Sequence, residues 1–302
     1  MSEGGHLHWG AEALWEQLQP LLPGLSIEVV ARTDSTNTRL LERARLSTGQ
    51  RDAPVSRPGQ LSGDEEPTTP PLGRRAGDTQ PCLLVAEHQT AGRGRLGRDW
   101  KAQPGQSLTF SLALAYAPRD WSGLSLAVGV ALAEALEPAP AGEPRIGLKW
   151  PNDLWLVDGA GSGRKLGGIL IETLSVGVRR MCVVGVGLNV QPIAATEGLA
   201  SGFGCLCELD PAATAPQALA TVARPLAETL QRFEREGFAP FAAPYARRDL
   251  LRGQRVTTSA AEAAEGTADG VTERGALRVQ TAQGLQLLTS GEVSVRLQGG
   301  AC

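Results

Sequence analysis

Several features that would place this chain in a specialised class of protein are missing from its sequence. The 302 residues contain no run of about 18 apolar residues, so we expect no membrane-spanning helix. The first ten residues lack the basic and apolar segments of a secretory signal, and we therefore expect a cytoplasmic protein. With 29 basic and 32 acidic residues the net charge is -3, which argues against general nucleic-acid binding.

Cysteine is scarce and scattered. The five cysteines predict no disulfide framework, because their number is odd and their spacing is wide. Cys205 and Cys207 have the spacing of half a metal site, but the sequence offers no second pair or neighbouring histidine to complete it. We therefore expect a structural or incidental role for these cysteines.

What remains is the composition of an ordinary soluble protein that is long enough for more than one domain. The chain is 42% hydrophobic and 20% charged. Residues 47–80 differ from the rest, since they are rich in Pro, Gly, Ser and Thr and have few large apolar side chains. That composition predicts a disordered insertion without chemistry. A change of pattern near Gly253 predicts a domain of residues 1–252 and another of residues 253–302.

Apolar periodicity predicts helices and strands in the first domain and strands in the second. The predicted helices are residues 11–22, 38–46, 124–136, 216–238 and 240–251. The predicted strands are residues 26–32, 82–87, 107–116, 145–150, 155–157, 164–174 and 180–190. Because the later strands are consecutive, they favour a mixed or mostly antiparallel sheet over strict βαβ alternation. Five short strand patterns between residues 255 and 297, separated by glycine turns, predict a small β-barrel.

The most distinctive stretch is residues 89–100, in which residues 92–98 hold three arginines and three glycines. Glycine allows close backbone approach to a ligand, and arginine offers a planar fork for phosphate or carboxylate. The stretch follows a predicted strand, which is a usual place for a functional loop. Taken alone, it is equally well explained as a mobile anion-binding loop or as a solvated basic turn, including an RNA-binding patch.

Three further polar clusters follow or precede predicted strands. Ser35, Thr36 and Asn37 precede a helix, where they are suited to capping its N-terminus, to lining a pocket, or to both. The other two clusters are residues 149–154 and 164–168. Together the four clusters supply neutral hydrogen-bonding groups, a cationic loop, a carboxylate and a lysine, which suits a ligand with a polar head and a phosphate.

In order and spacing, these clusters resemble the motifs of biotin protein ligases. The matching motifs are Glu87-x-Gln89-x-x-Gly92-Arg93-Gly94-Arg95-x-Gly97-Arg98-x-Trp100, Lys149-Trp150-Pro151-Asn152-Asp153-Leu154, Arg164-Lys165-Leu166-x-Gly168-Ile169-Leu170-Ile171-Glu172 and Gly185-x-Gly187-x-Asn189. The resemblance implies an α+β fold. Its first domain would be a class II synthetase-like catalytic domain, a mixed β-sheet packed with helices, and its second a small SH3-like β-barrel.

The resemblance also implies an ATP-dependent ligase. Biotin is first activated by ATP, in the presence of Mg²⁺, to biotinyl-5′-AMP, and no tightly bound prosthetic group takes part. The biotinyl group then passes to a lysine of the biotin carboxyl carrier protein of a carboxylase such as acetyl-CoA carboxylase. The alternatives are a lipoate or octanoate ligase or transferase, a non-catalytic biotin-sensing protein and an inactive paralogue. The full run of residues 89–100 disfavours the lipoate or octanoate enzyme. The expected lack of a DNA-binding domain, with Asp153 and Lys165 retained, disfavours the sensing protein, and the intact motifs disfavour the inactive paralogue.

By matching position, the resemblance implies a role for each residue of the site. The implied catalytic residues are Arg93, Arg95 and Lys165. The implied biotin-binding residues are Ser35, Thr36, Asn37, Gln89, Gly92, Arg93, Gly94, Arg95, Lys165 and Gly168. The implied nucleotide-binding residues are Arg95, Arg98, Trp100, Asn152, Asp153, Lys165 and Asn189, with Asp153 as a ligand of Mg²⁺. Core packing is the alternative role for Trp100 and Trp150, and no residue is evident as a base for the acceptor lysine.

The chain departs from the family pattern at its beginning. About 25 residues precede the first predicted strand, which is fewer than the helix-turn-helix domain of many family members requires. We therefore expect neither DNA binding nor transcriptional repression. Residues 47–80 and 158–163 look expanded. The sequence is compatible with a monomer or a homodimer.

Overall fold

A seven-stranded mixed sheet is the centre of the molecule. The computed structural model describes residues 7–49, 79–138, 142–158, 163–193, 202–289 and 293–297. The strands of this sheet are β1 (Ser26–Thr33), β2 (Cys82–Gln89), β3 (Ser107–Ala115), β4 (Ile146–Lys149), β5 (Asp153–Val157), β6 (Gly163–Val176) and β7 (Arg179–Asn189). Their order is β1-β2-β3-β7-β6-β5-β4, with β1 and β2 parallel and the other pairs antiparallel. The predicted mixed sheet is confirmed.

Helices cover both faces of the sheet. They are α1 (Ala11–Leu18), α2 (Thr36–Gly49), α3 (Leu124–Leu136), α4 (Ala215–Glu236) and α5 (Ala239–Ala246). Side chains of a strand alternate between the two faces. Leu108 and Phe110 of β3 belong to the main core with α3 and α4, whereas Leu84 of β2 packs with Leu40 of α2 in a second core. No helix within the described ranges is long and apolar enough to cross a membrane.

Three predicted helix ends, those of α1, α2 and α5, are wrong by three residues or more, and one predicted helix is exact. Helix α3 has its predicted bounds, whereas α1 ends at Leu18 rather than at residue 22. Helix α2 continues to Gly49, so the predicted insertion begins inside a helix, and residues 50–78 lie outside the described part of the chain. Most of the hairpin predicted at residues 158–163 also lies outside it.

The third wrong boundary is the end of α5, which stops at Ala246 although the sequence predicted helix to residue 251. The chain turns back there to pair with β4. The Leu148 N–H donates to the Arg248 carbonyl at 2.7 Å, and the Leu250 N–H donates to the Leu148 carbonyl at 3.0 Å. Pairing with the open edge of β4 satisfies backbone groups that a longer helix would leave exposed there.

The C-terminal part forms a separate five-stranded antiparallel sheet. Its strands are β8 (Arg255–Thr258), β9 (Glu265–Val271), β10 (Leu277–Thr281), β11 (Gly284–Leu288) and β12 (Val295–Leu297). The order is β11-β10-β9-β8-β12, so β11 and β12 lie at its two sides. The prediction of a small all-β unit after the last helix is confirmed.

The two sheets meet at the segment that precedes Asp153. The buried Trp150 donates its indole N–H to the Gly275 carbonyl at 3.1 Å. Beside it, Arg274 pairs with Asp120 at 2.7 Å. Gly275 has φ +77, and a Cβ there would lie 2.6 Å from Gly123 Cα at the start of α3. The smaller sheet therefore supports the connection between β4 and β5 and the start of α3.

Asp249 lies in the segment that pairs with β4, and burial raises the pKa of its carboxyl group from 3.8 to about 6. Because the folded state then binds the proton more tightly than the unfolded state, stability falls as the pH rises from about 4 to about 6. We expect Asp249→Asn to abolish that fall. The variant should gain about 1–3 kcal/mol of unfolding free energy over the wild type at neutral pH.

Urea unfolding at pH 7.5 and at pH 3.8 measures this effect. The gain should be present at pH 7.5 and small at pH 3.8, where the wild-type carboxyl is protonated in the folded state. An equal gain at both pH values would contradict the role given to the Asp249 charge.

Candidate active site

The four sequence clusters meet over one face of the larger sheet, where the strands carry small side chains. Cross-strand pairing joins Ser111 with Gly185 and Thr109 with Gly187. Gly187 pairs in turn with Gly168. Directly paired residues point to the same face of a sheet. These five residues, Thr109, Ser111, Gly168, Gly185 and Gly187, form a surface without bulky side chains that we call the glycine floor.

Close packing requires two glycines of the glycine floor. A Cβ at Gly187 would lie 2.5 Å from the Trp100 indole, and a Cβ at Gly185 would overlap the Asn37 amide. A Cβ at Gly168 would lie 3.5 Å from both Lys165 Nζ and Asp153 Oδ1, so Gly168 faces these two charged groups. Side chains from all four clusters are thus held over a short stretch of β6 and β7.

A buried polar network occupies the Gly185 end of the glycine floor. Gln89 Oε1 accepts hydrogen bonds from the Thr36 N–H at 2.7 Å and the Thr36 hydroxyl at 3.0 Å. Ser111 Oγ lies 2.6 Å from both Thr36 Oγ1 and Asn37 Oδ1. All four side chains are buried. Such a network fixes the directions of its donors and acceptors. Ser35 caps α2, its hydroxyl accepting the Thr38 N–H at 3.4 Å.

Sequence reasoning missed two members of this end of the site. Ser111 was not singled out, although Ser107, Thr109 and Ser111 occupy every second position of an otherwise apolar strand. Glu172 ends one of the four motifs, and no site role was predicted for it. Its carboxylate accepts hydrogen bonds from Asn37 Nδ2 and from Arg93 Nη2, each at 2.9 Å. Glu172 therefore connects the polar network to the arginine-rich stretch.

Residues 89–100 form a closed turn at the rim of the glycine floor. The Gly94 N–H donates to the Arg98 carbonyl at 2.7 Å, and the Trp100 N–H donates to the Gly92 carbonyl at 2.8 Å. The turn directs its arginines differently: Arg93 pairs with Glu172, Arg95 donates to Asn152 Oδ1 at 3.3 Å, and Arg98 is exposed. The stretch therefore supplies cations to both ends of the site.

Charged groups and an indole gather at the Gly187 end. Lys165 Nζ forms an ion pair with Asp153 Oδ1 at 2.8 Å, and both side chains are partly exposed. The Trp100 ring centre lies 5.9 Å from the same ammonium group, and its half-buried indole packs on Gly187. Burial lowers the pKa of Arg95, an effect that the nearby Asp153 carboxylate opposes. Two cations, one carboxylate and an aromatic face suit a nucleotide with a reacting phosphate.

Asn152 and Asn189 hold the backbone of β6. Asn152 Nδ2 donates to the Ile169 carbonyl at 2.8 Å. The buried Asn189 Nδ2 donates to the Lys165 and Gly204 carbonyls, each at 3.0 Å. Both amides lie next to the Lys165 strand segment, so they fix its position. Their contact with a nucleotide stays a prediction, as does the adenine contact of Trp100.

Known proteins are similar to this chain in sequence and in fold. Residues 76–189 match the Biotin/lipoate A/B protein ligase family, and residues 253–296 match the Biotin protein ligase C terminal domain. The chain is 31% identical to the bifunctional ligase/repressor BirA of Escherichia coli, over 93% of this chain and 77% of BirA. It is 33% identical to the biotin–[acetyl-CoA-carboxylase] ligase of Mycobacterium tuberculosis, over 82% and 76% of the two chains. A biotin protein ligase from Aquifex aeolicus, solved in complex with biotin and ATP, is 26% identical with a TM-score of 0.67, over 90% of this chain and 99% of that one.

Proposed function

Because the chain belongs to the biotin protein ligase family, we propose that it is a biotin–[acetyl-CoA-carboxylase] ligase. It would activate biotin with ATP and transfer the biotinyl group to a lysine of the biotin carboxyl carrier protein. The observation that carries this proposal is the meeting of a neutral polar network and the Lys165–Asp153 pair on one glycine floor. The presence of biotin and ATP in the Aquifex aeolicus relative supports the same two substrates.

Biotin has an uncharged ureido head and a chain that ends in a carboxylate, and the two ends of the site fit these two parts. The network of Thr36, Asn37 and Gln89 offers neutral donors and acceptors to the head. The glycine floor allows side chains that would contact biotin, such as Asn37, to pack closely on the sheet. The carboxylate would then lie towards Lys165 at the other end.

The activation step joins two anions. A carboxylate oxygen of biotin attacks the α-phosphorus of ATP, a new O–P bond forms, and pyrophosphate leaves with the electrons of the broken bond. Fixed cations lower the barrier because they offset the repulsion and stabilise charge that develops at phosphorus. Lys165 and Arg95 have the position for this task, and a phosphate oxygen would become the new partner of the Lys165 ammonium.

Mg²⁺ is implied by the use of ATP, and the residues of the site fit it. Mg²⁺ binds through one or two carboxylates together with phosphate oxygens and water. Asp153 offers one partly exposed carboxylate at the Gly187 end, which we call the nucleotide end. Within the described ranges there is no group of three or more His, Cys, Asp or Glu that forms a metal cage, so phosphates would supply most ligands. When bound there, the ion neutralises phosphate charge.

In the transfer step, the neutral amine of the carrier lysine attacks the carbonyl carbon of biotinyl-5′-AMP. An amide bond forms, and AMP leaves as its phosphate takes the electrons of the broken bond. The amine needs a base for its proton, because the usual pKa of lysine is about 10.4. The cations around the phosphate stabilise the leaving AMP in the same way as they stabilise the first transition state.

Arg95→Ala is expected to release biotinyl-5′-AMP about tenfold faster or more, since it removes a partly buried cation from the nucleotide end. Folding should change little, because backbone hydrogen bonds of Gly94 and Trp100 close the turn that carries Arg95. Rapid filtration with labelled biotin measures the release. The control is Arg119→Ala, which removes an exposed arginine outside the arginine-rich turn. Unchanged retention in Arg95→Ala would contradict this role.

The proposed function itself is tested by mixing the full chain with biotin, ATP, Mg²⁺ and a carrier domain. The mass of the intact carrier should increase by one biotinyl group, and a carrier with arginine at the acceptor position should stay unmodified. Parallel reactions with lipoate and octanoate test the alternative substrates of the wider family. A carrier that gains lipoyl or octanoyl but not biotinyl would reject the proposal.

Other sequence predictions lie outside that experiment. The absence of DNA binding and repression, the cytoplasmic location and the choice between monomer and homodimer stay predictions. The domain division at Gly253 is also a proposal, and it places the boundary between α5 and β8.

A further inference from the structure

Cys205 and Cys207 form a close pair of thiols next to the strand that carries Lys165. Their sulfur atoms are 3.0 Å apart. A disulfide has an S–S distance of about 2.05 Å, so the two sulfurs need to approach by only about 1 Å. Cys205 is buried, whereas Cys207 is partly exposed. The pair therefore combines proximity with access for a small reagent from one side.

Backbone hydrogen bonds connect this pair to the active-site strands. We call residues 204–208 the dithiol turn. Its Gly204 N–H donates to the Lys165 carbonyl at 3.0 Å, and its Cys207 N–H donates to the Val190 carbonyl at 3.0 Å. Asn189 links β6 to the dithiol turn, because its amide donates to the carbonyls of Lys165 in β6 and Gly204 in the turn. A movement of the dithiol turn is thus transmitted directly to the Lys165 backbone.

Glu208 provides a second connection, and it depends on Cys205. The Cys205 N–H donates to Glu208 Oε1 at 3.1 Å, and the Cys205 sulfur lies 3.6 Å from the same oxygen. Glu208 also pairs with Arg164 at 2.6 Å, next to Lys165 in the chain. Bond formation between the two sulfurs removes the Cys205 thiol hydrogen that faces Glu208. It also draws that sulfur towards Cys207.

We propose that Cys205 and Cys207 are a thiol–disulfide switch: a small-molecule disulfide oxidises the pair, and the oxidised protein activates biotin more slowly. The oxidation follows from the thiol geometry alone. The slower activation rests on the proposed ligase function, because it acts through the position of Lys165.

A low-molecular-weight disulfide is the oxidant, and it takes up the two electrons that the cysteines lose. The Cys207 thiolate attacks one sulfur of the reagent, forms a mixed disulfide and releases one thiolate. Cys205 then loses its proton and attacks the Cys207 sulfur, which forms the internal disulfide and releases the second thiolate. Two electrons pass from the cysteines to the reagent, and the two cysteine protons go to the released thiolates or to water.

The order of attack follows from the environments of the two thiols. Burial, reinforced by the neighbouring Cys207, raises the pKa of the Cys205 thiol to about 12, so Cys205 stays protonated and unreactive towards an external disulfide. Cys207 is the more exposed sulfur and reacts first. The other cysteines of the described chain, Cys82 and Cys182, are buried at 3% and 0% exposure and offer no comparable access.

The chemical test uses the full chain and glutathione disulfide. After oxidation and digestion, mass spectrometry should find the peptide with both cysteines lighter by two hydrogen atoms. Cys205→Ser should instead keep glutathione on Cys207, and Cys207→Ser should keep an unmodified Cys205. Cys182→Ser and Cys302→Ser are the controls and should still form the internal disulfide. A bond to Cys302, or no internal disulfide, would overturn the proposal.

The functional test measures biotin-dependent pyrophosphate release before and after oxidation. The rate should fall at least about fivefold and recover with dithiothreitol. Cys207→Ser should have the rate of the reduced wild type, and the oxidant should not change that rate. Cys207→Ala serves if the serine variant does not fold. An equally active oxidised protein would overturn the switch. A reduced protein without biotin-dependent activity would instead overturn the proposed ligase function, while the disulfide result would still stand.

Discussion

Lys165→Ala should lower the rate of biotin-dependent pyrophosphate release at least about 100-fold, which is the usual loss when a fixed group that stabilises a transition-state charge is removed. The ammonium group of Lys165 lies at the nucleotide end of the glycine floor, 2.8 Å from the Asp153 carboxylate. Its loss removes a cation from the place where biotin and ATP, both anionic, must react. The remaining carboxylate would add to the repulsion.

Binding and folding measurements separate this role from a structural one. The Lys165–Asp153 pair is partly exposed, so its removal should cost about 1 kcal/mol of stability or less. Biotin should still bind within a fewfold of the wild type, because the head is held by the network at the other end. Lys101→Ala, which removes an exposed lysine directly after Trp100, is the control. Near-normal pyrophosphate release from Lys165→Ala would remove this residue from the mechanism.

Local pattern was sufficient to predict most of the fold. The apolar run of α3 gave both of its ends, and the consecutive strand patterns predicted the mixed sheet. The errors arose where a long-range contact decides the local structure. Helix α5 ends at Ala246 because residues 248–250 pair with β4, about 100 residues earlier in the chain, and no periodicity within α5 contains that information.

The site was predicted in its parts but not in its connections. Motifs singled out Asn37, Arg93 and Lys165, since their residue types and spacing are distinctive. The sequence did not show that Glu172 joins Asn37 to Arg93, because Asn37 and Glu172 are 135 positions apart. Nor did it single out Ser111, whose significance depends on the register that places it opposite Gly185.

The smaller sheet also contacts the site, a role that no sequence pattern indicates. Two of its backbone carbonyls reach the active-site segments: Gly275 accepts from Trp150 at 3.1 Å, and Val293 accepts from Arg95 at 3.4 Å. Trp150 lies three positions before Asp153 and is almost fully buried. The smaller sheet therefore helps to hold the Trp150 segment and Arg95 at the Gly187 end of the site.

Gly275→Ala should test this connection, with an expected loss of at least about tenfold in kcat/KM for ATP. The new Cβ would lie 2.6 Å from Gly123 Cα, and backbone on both sides leaves little room for relaxation. Overpacking of this kind costs about 1–3 kcal/mol of stability. Misplacement of a substrate-positioning segment by about 1 Å can lower a rate by about 100-fold. Relief of the overlap requires the Gly275 carbonyl to move, which weakens its hydrogen bond from Trp150 beside the Asp153 segment.

Gly284→Ala is the matched control, because Gly284 also has a positive φ, +111, but has no atom within 4 Å of a Cβ. Both variants bear the backbone strain of an alanine at positive φ, and both should lose stability for that reason. Only Gly275→Ala should raise the KM for ATP. It should leave biotin affinity nearly unchanged, because Trp150 precedes the Asp153 segment whereas the polar network lies at the Gly185 end. Equal ATP kinetics in the two variants would mean that the smaller sheet stabilises the chain without positioning the nucleotide end.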